Sequence, residues 1–367
     1  MTGKSGSPDD LGAPGGPGIP GGRGGPGGQG APGAGIGILG TGSYLPADTV
    51  SNSVCAARAG VSAEWIERKT GILERRYAAD SEATSDLAVE AARAALDAAG
   101  ITAAELSWIV VATSTPDCPQ PATACLVQDR LGAPDAAAFD LNAVCSGFVF
   151  ALVAAARLLP AAPGGRSAGY ALVIGADIYS RIIDRTDRRT AILFGDGAGA
   201  VVLGPAADGS GVLGAHLASR GDRHDLIHVA AGGSRLPASE KTLAEGLHHF
   251  RMDGRGVREF VMAELPRAVR RVVAEHGLDL DDVDHFIPHQ ANGVMLAEAV
   301  QRLGLDRART HLTVARHGNT SAASIPLALD DARRSGLLHE GDLLLLAGFG
   351  GGMSLGTVLV RWGGTAA

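Results

Sequence analysis

The chain has 367 residues and a formal net charge of -7, and 46% of its residues are hydrophobic although only 4% are aromatic. This length is enough for one large domain or two fused halves. The acidic balance excludes the electrostatic footprint of proteins that bind nucleic acids or anionic membranes. The sequence has no apolar run of roughly 20 residues and no apolar signal-peptide core near its N-terminus. We therefore expect a cytoplasmic protein.

The N-terminal segment, residues 1–34, differs in composition from the rest of the chain. From Gly12 to Gly33, glycine recurs at every third position. This repeat is typical of a collagen-like stalk, and it also fits a disordered tail rich in glycine and proline. Because the repeat is short and carries few prolines, a triple helix would be weak. We therefore predict a disordered tail over residues 1–34.

The globular sequence begins with a strand at Gly35 and continues as an alternation of strands and helices. Each apolar run predicts a strand or a helix through its period and its flanking turn residues. The predicted elements of this first series are a helix over 85–99, strands over 107–113 and 136–141, a helix over 147–159, a strand over 170–175 and a glycine-rich hairpin over 194–203.

A second series of similar make-up begins near Gly211. Its predicted elements are a strand over 211–219, a helix over 256–275, a strand before His289, helices over 292–303 and after Asn319, and a final hairpin of strands over 342–347 and 354–362. The alternation predicts an α/β fold with a largely parallel sheet that helices cover on both faces. The two series indicate two related halves, over residues 35–208 and 209–367.

Three candidate catalytic residues, each in its own motif of small residues, occur in the order Cys145, His289 and Asn319. Cys145 lies where a predicted strand gives way to a predicted helix, and the positive end of the helix dipole favours a thiolate there. A histidine and an asparagine from distant segments are suited to handling charge at a carbonyl group. The set therefore predicts a cysteine enzyme that forms a thioester.

Each of these residues also has a structural interpretation. Cys145 could be a small core residue, as we expect for the other three cysteines, whose spacing does not match a zinc site. His289 could be a structural cap, and Asn319 could be a helix N-cap. Asp196, in Phe-Gly-Asp-Gly-Ala-Gly, looks like part of a phosphate-binding loop, and we interpret it as a turn.

Six motifs together identify a family. They are Trp65-Ile-Glu-Arg-Lys-Thr-Gly-Ile, Cys145-Ser-Gly-Phe, Phe194-Gly-Asp-Gly-Ala-Gly-Ala, His289-Gln-Ala-Asn, His317-Gly-Asn-Thr-Ser-Ala-Ala-Ser-Ile-Pro and Gly348-Phe-Gly-Gly-Gly-Met-Ser-Leu-Gly. With these motifs in this order, the chain resembles β-ketoacyl-acyl-carrier-protein synthase III, a condensing enzyme of the thiolase superfamily. The resemblance implies a five-layered αβαβα thiolase-like fold of two similar halves. It also implies a homodimer with both active sites near the subunit interface.

The resemblance implies a role for each candidate residue. Cys145 would attack an acyl-CoA or acyl-carrier thioester, and its own N–H and that of Gly351 would form the oxyanion hole. His289 and Asn319 would bind the carbonyl of a malonyl-carrier and stabilise the enolate that is left when carbon dioxide departs. That carbanion would attack the acyl-cysteine and give a 3-oxoacyl-carrier protein, which is the chemistry of starter selection in fatty acid or polyketide biosynthesis.

The resemblance also implies substrate-binding residues. Trp65 would stack on the adenine of CoA, and Lys69 and Arg188 would contact its phosphates. Three residues would line the acyl pocket, namely Gln120, Phe148 and Met353. We expect acyl-CoA and an acyl carrier protein as partners, and we expect neither a metal ion nor a redox cofactor.

Three positions depart from the usual family pattern. Lys69 replaces an arginine in the tryptophan motif, Val294 replaces an arginine associated with carrier-protein docking, and Gln120 replaces a phenylalanine at the end of the acyl pocket. A lysine is a point charge where arginine presents a planar fork. These departures suggest a specialised pathway, such as polyketide starter chemistry, in place of bulk fatty-acid initiation.

Other members of the superfamily fit the sequence less well. Thiolases carry a second catalytic cysteine in the C-terminal glycine motif, but no cysteine follows Cys145. Elongating synthases pair the cysteine with two histidines, whereas the third position here is Asn319. One enzymatic alternative is an acyltransferase that moves an acyl group between carriers without condensation. A third hypothesis is an inactive partner subunit, which the presence of Cys145 disfavours.

Overall fold

The structure is a computed structural model that describes residues 35–159 and 169–363. The predicted tail over residues 1–34 lies outside the described residues. Within the described ranges, the strands of the first half form a five-stranded sheet in the order β1-β7-β6-β4-β5. Its strands are β1 (Ile36–Tyr44), β4 (Leu106–Ala112), β5 (Ala137–Leu141), β6 (Tyr170–Asp177) and β7 (Gly197–Pro205).

A second five-stranded sheet repeats this order. It runs β8-β14-β13-β11-β12 and consists of β8 (Gly211–Ser219), β11 (His285–Pro288), β12 (Arg309–Thr310), β13 (Leu343–Gly350) and β14 (Ser354–Arg361). In each sheet the first strand of the series lies at an edge beside the last one. The last strand in turn pairs with the preceding one, β6 in the first sheet and β13 in the second. The fold therefore contains two similar halves.

The prediction of a largely parallel sheet is wrong, because both sheets are mixed. In the first sheet β1, β7 and β6 are antiparallel neighbours, whereas β6, β4 and β5 are parallel. The second sheet has the same two antiparallel and two parallel pairings. The segment 351–353 that joins β13 to β14 is too short for these strands to be parallel, because a parallel connection needs a crossover of a dozen or more residues.

Helices divide the molecule into five layers. Helices α3 (Thr84–Ala99) and α4 (Thr123–Leu131) cover the outer face of the first sheet, and α7 (Gly254–Glu275) and α8 (Gly293–Gln301) cover that of the second. Between the sheets lie α5 (Gly147–Leu158) and α10 (Ser324–Arg334), which contact strands of both. Helix α5 is apolar around almost its whole circumference, as a helix enclosed between two sheets must be. This arrangement confirms the five-layered αβαβα fold.

The remaining elements surround one end of the two sheets. They are two small sheets, β2 (Asp48–Ser51) with β3 (Glu74–Tyr77) and β9 (Ile227–Val229) with β10 (Phe250–Met252), and the short helices α1 (Asn52–Ala59), α2 (Ala63–Thr70), α6 (Glu240–Ala244) and α9 (Val314–His317). None of the helices in the described ranges has the length and apolar character needed to cross a membrane.

The predicted hairpin over 194–203 is a bend followed by a single strand, β7. Asp196 lies in the bend and is fully buried. Its carboxylate accepts hydrogen bonds from the Ser180 N–H at 2.9 Å and from the Ala78 N–H at 2.8 Å. Asp196 therefore ties together three segments of the first half, which agrees with its interpretation as a structural residue.

Candidate active site

Cys145 lies in a strained turn between β5 and α5. The segment Val144–Ser146, called the Cys145 turn below, is a short 3-10 turn that leads directly into α5. Val144 has a φ of 48°, which is rare for a β-branched residue, and Cys145 is 6% exposed. Such strain costs on the order of 1–3 kcal/mol and persists where the surroundings hold the backbone in place. The turn fixes the sulfur at the N-terminal end of the central helix.

Gly350, at the end of β13, provides the close contact on the other side of Cys145. A Cβ atom on Gly350 would lie 2.9 Å from both the Cβ and the backbone nitrogen of Cys145. Real Cβ atoms do not approach so closely, so only glycine allows this strand to reach the nucleophile. The next residue, Gly351, packs against Val144. The proposed use of the Gly351 N–H as an oxyanion donor stays a prediction.

His289 follows the last residue of β11 and is 1% exposed. Its backbone N–H donates to the carbonyl of Ala347 at 2.8 Å, and its ring meets that of Phe349 edge to face at 5.1 Å. Burial lowers the pKa of His289 to about 3, although a hydrogen bond to the Ser321 backbone acts in the opposite direction. The imidazole is therefore neutral near pH 7. Its Nδ1 atom has no hydrogen-bond partner among the described residues.

Asn319 is held by backbone hydrogen bonds from the first half. Its N–H donates to the Leu193 carbonyl at 2.8 Å, and its carbonyl accepts from the Gly195 N–H at 3.0 Å. Its side-chain Oδ1 accepts a hydrogen bond of 2.9 Å from the Ser321 N–H. Because the oxygen is occupied, the Nδ2 group is the part of the amide left to donate to a substrate.

Ser321 joins the three predicted catalytic residues. Its hydroxyl donates to the sulfur of Cys145 at 3.5 Å, and its N–H donates to Oδ1 of Asn319 at 2.9 Å. Its backbone also acts on the pKa of His289. Cys145, His289 and Asn319 are therefore brought together, as predicted. Sequence reasoning missed Ser321, for which the available signal was its position two residues after Asn319 in a run of small residues.

Asp177, at the end of β6, is the second residue that sequence reasoning missed. It is fully buried and accepts hydrogen bonds from the Ser114 N–H at 2.9 Å and the Thr115 hydroxyl at 2.8 Å. It also accepts from the Ala322 N–H at 3.1 Å and bonds the Ser321 side chain. Asp177 thus anchors the segment that carries Asn319 to the first sheet.

The resting form of Cys145 is the thiol. Burial raises the pKa of Cys145 to about 12, and the negative charge of Asp177 acts in the same direction, whereas the hydrogen bond from Ser321 lowers it. The helix dipole was expected to favour a thiolate, but burial outweighs it here, because a charged sulfur loses its hydration. The thiolate must therefore form during the reaction.

A cavity of about 620 Å³ reaches Asn319, whereas Cys145 and His289 do not belong to its lining. Asn319 lines it together with Trp65, Lys69 and Arg188, so the structure brings the three predicted CoA-binding residues to one place. Arg189 and Arg258 add two further cations that were not predicted. The cavity has room and positive charge for a phosphorylated, nucleotide-like substrate.

The three predicted acyl-pocket residues lie in three different surroundings within the described residues. Phe148 is fully buried in the core between the sheets, one residue into α5. Met353 has a φ of 43° and lines a separate cavity of about 230 Å³ beside Phe260. Gln120 lies on an exposed loop and does not line the 620 Å³ cavity. Their role in holding the acyl chain stays a prediction.

Comparison with known proteins places the chain among related sequences. Residues 139–221 match the family model of 3-oxoacyl-[acyl-carrier-protein] synthase III, and residues 273–362 match the model of its C-terminal part. The acetoacetyl CoA synthase NphT7 of Streptomyces sp. (strain CL190) is 55% identical over 89% of this chain and 98% of its own length. The β-ketoacyl-[acyl-carrier-protein] synthase III of Rhodospirillum rubrum is 49% identical over 88% of this chain and 98% of its own.

A solved structure extends the agreement to three dimensions. The 3-oxoacyl-(acyl carrier protein) synthase III of Pseudomonas aeruginosa PAO1 superposes with a TM-score of 0.81 at 40% identity, covering 91% of this chain and all of its own. The predicted family is confirmed, and with it the prediction of an acyltransferase of the condensing type. The chain belongs to the 3-oxoacyl-acyl-carrier-protein synthase III family of condensing enzymes.

Proposed function

We propose that this enzyme loads an acyl group from acyl-CoA onto Cys145 and condenses it with a malonyl thioester, releasing carbon dioxide and a 3-oxoacyl thioester. The contacts of one buried residue support the assignment of catalytic roles to these residues. The sulfur of Cys145 and the amide of Asn319 both bond the same buried residue, Ser321, whose backbone also acts on the pKa of His289. Asn319 also lines the cavity that holds Trp65.

In the first half-reaction, the sulfur of Cys145 attacks the thioester carbonyl of acyl-CoA. A carbon–sulfur bond to Cys145 forms while the bond to the sulfur of CoA breaks, and the thiol proton leaves with CoA. The buried thiol is protonated at rest, so proton loss accompanies the attack. The N–H groups of Cys145 and Gly351 would stabilise the oxyanion of the tetrahedral intermediate.

In the second half-reaction, the malonyl thioester occupies the same site. The Asn319 Nδ2 group and the neutral imidazole of His289 would donate hydrogen bonds to its thioester carbonyl. A neutral imidazole has one N–H, so His289 would donate it to the substrate in place of the Ser321 backbone. These bonds strengthen as carbon dioxide leaves and the carbonyl becomes an enolate, so they favour decarboxylation. The carbanion then attacks the acyl carbonyl on Cys145, and the cysteine sulfur departs.

Intact-protein mass spectrometry tests this assignment. The enzyme is incubated with a panel of acyl-CoAs and then with a malonyl thioester, beside the variant Cys145→Ala. We expect the enzyme to gain the mass of one acyl group, the variant to gain none, and the second addition to release a 3-oxoacyl product and carbon dioxide. An acyl group discharged intact onto an acceptor would show simple acyl transfer. Loading of Cys145→Ala would show that another residue is the nucleophile.

We further propose that the malonyl group is carried by CoA, so that the product is a 3-oxoacyl-CoA. The name of the 55% identical Streptomyces relative states a CoA product. In this chain the position expected to hold a carrier-docking arginine is Val294, an apolar side chain that is 50% exposed. It lies on α8 next to Met295, which lines the cavity. Val294 itself offers no cation to an acidic carrier protein, and the cations nearby, Lys69, Arg188, Arg189 and Arg258, line the cavity.

Kinetics with the two malonyl donors test the proposal on CoA. We expect malonyl-CoA to be the better substrate of the wild-type enzyme. The variant Val294→Arg should lower KM for a malonyl-carrier by about tenfold, since a rim charge steers an oppositely charged partner. Leu312→Arg, which adds the same charge at a residue that is 46% exposed and outside the cavity lining, should not. A wild-type preference for the malonyl-carrier would refute the proposal.

A further inference from the structure

Ser321 occupies a backbone conformation that serine rarely adopts. Its φ is 50°, and it begins the short 3-10 turn Ser321–Ala323, called the Ser321 turn below, which leads into α10. Glycine and asparagine are the residues that usually tolerate this region. Ser321 is fully buried, so the surrounding structure, and not solvent, sets the direction of its side chain.

The fold does not need a hydroxyl at this position. The Cys145 turn of the first half has the same form, a 3-10 turn that begins with a positive φ and leads into a central helix. Its first residue is Val144, with a φ of 48° and an apolar side chain. Because a turn of this shape forms with valine, the hydroxyl of Ser321 must be explained by what it contacts.

The hydroxyl contacts the reacting sulfur. Its oxygen lies 3.5 Å from the Sγ atom of Cys145, within reach of a hydrogen bond to sulfur. The carboxylate of Asp177 and the phenol of Tyr179 are neighbours of this hydroxyl, since the Ser321 side chain lowers the pKa of both. A hydroxyl has one proton to donate and can accept two hydrogen bonds. The proton of Ser321, which the structure directs to Cys145, could alternatively go to Asp177 or Tyr179.

The acceptor of the Ser321 proton depends on whether the sulfur of Cys145 is a thiol or a thiolate. Asp177 is already supplied with donors, from Ser114, Thr115 and Ala322. A neutral thiol is a weak acceptor, whereas a thiolate is a strong one, so the proton of Ser321 gains most when the sulfur carries negative charge. Hydrogen bonds that strengthen as charge develops are those that accelerate a reaction.

We propose that Ser321 is a catalytic residue of this enzyme, whose hydroxyl donates to the sulfur of Cys145 whenever that sulfur is negatively charged. This occurs twice in a cycle: as Cys145 loses its proton to attack the acyl donor, and as the sulfur leaves the acyl group after carbon–carbon bond formation. The inference rests on the proposed role of Cys145 as the nucleophile. It adds the group that stabilises the sulfur to those that stabilise the carbonyl oxygens.

The pH dependence of Cys145 alkylation measures this effect directly. The full-length enzyme and the variants Ser321→Ala and Ser321→Gly are treated with iodoacetamide from pH 7 to pH 10, and the Cys145 peptide is followed by mass spectrometry. We expect both variants to react about tenfold to a hundredfold more slowly at each pH, because the hydrogen bond to the thiolate is lost. Asp177 and Tyr179, the titratable groups that act on the sulfur, are present in all forms.

Two controls separate this role from a structural one. Ser321→Gly tolerates the positive φ, so it folds even if Ser321→Ala does not. Ser324→Ala removes another fully buried hydroxyl three residues along the chain, one that bonds Thr320, and should leave the profile unchanged. An unchanged profile in the folded Ser321 variants would overturn the inference. Wild-type protein that never loads an acyl group on Cys145 would instead refute the proposed function.

Discussion

The two turns that lead into the central helices are built alike but serve different ends. The Cys145 turn precedes α5 in the first half, and the Ser321 turn precedes α10 in the second. Each begins with a residue of positive φ. The first turn presents a nucleophile, whereas the second follows an amide, Asn319, and presents a hydroxyl. A repeated piece of backbone thus supplies a covalent site in one half and hydrogen-bond donors in the other.

Each turn rests on the sheet of the other half. Ala322 packs so closely on β6 that a Cβ atom on Gly175 would lie 2.3 Å from the Ala322 carbonyl oxygen. In the same way, the hydroxyl of Ser146 bonds that of Ser354 at 2.5 Å, at the start of β14. The two active-site segments are therefore held by contacts between the halves. Neither half contains a complete site.

The two turns predict that the first half carries out acyl loading and that the second half supports condensation. The variant with the largest expected effect tests this division. The variant Asn319→Ala should still acquire an acyl group on Cys145, because loading uses the first turn. Its condensation should slow by about a hundredfold to a thousandfold, since removal of one donor to a developing oxyanion typically costs that much. Loading is followed by intact mass, and condensation by release of carbon dioxide from the malonyl donor.

The loading step is also the control for Asn319→Ala, because an unfolded variant would not load. Loading and condensation that fall together would show that Asn319 acts in both half-reactions. Acyl loading would then depend on both halves and not on the first half alone.

A substitution at Gly350 tests whether the second half also positions the nucleophile. Gly350→Ala would place a methyl group 2.9 Å from the Cβ of Cys145 and displace the Cys145 turn. The φ of Gly350 is -178°, an extended value that alanine adopts freely, so only this contact is disturbed. We expect loading to slow by about tenfold or more and stability to fall by about 1–3 kcal/mol.

Gly221→Ala is the matched control for the Gly350 variant. A Cβ atom at Gly221 would meet no heavy atom within 4 Å, so we expect no change in the loading rate or in stability. If Gly350→Ala loads at the wild-type rate, the contact between β13 and Cys145 does not fix the sulfur.

The sequence motifs predicted the parts of the site that one segment determines. Cys145 and His289 lie at junctions of strands with turns or helices, and Asn319 lies in the short segment between α9 and α10; local patterns locate such places. Ser321 and Asp177 escaped prediction because their roles depend on contact between the two sheets, which no local period encodes. The mixed sheets were missed for a related reason, since alternation of strands and helices does not reveal which strands pair.

The halves also differ in the charged groups that they bury. The first half buries Asp177 and Asp196, and burial raises the pKa of both, that of Asp196 to about 6. The second half buries His289 and His311, and burial lowers their pKa values to about 3 and about 4. A raised carboxylate pKa favours the folded state at low pH and loses that effect as pH rises. A lowered histidine pKa does the opposite, so the two buried aspartates and the two buried histidines respond to acid in opposite directions.

The smallest expected effect is a change in the pH dependence of stability when His289 is replaced. Below pH 6.5, its ordinary pKa, His289 binds a proton in the unfolded chain but not in the folded one until about pH 3, so acid favours unfolding. His289→Gln removes this penalty. Between pH 7 and pH 5, the stability of the variant relative to wild type should rise by about 2 kcal/mol. Urea denaturation at the two pH values measures this change in stability. Any loss of packing against Phe349 occurs at both pH values and therefore cancels in the comparison.

His224→Gln, at an exposed histidine of the same half, is the control for the substitution itself. If wild type and His289→Gln lose stability in parallel as the pH falls, His289 takes up its proton in the folded protein. A protonated imidazole would then face the malonyl thioester, and the charge, not a neutral hydrogen bond, would stabilise the enolate. The measurement therefore decides which form of His289 the second half contributes to the reaction.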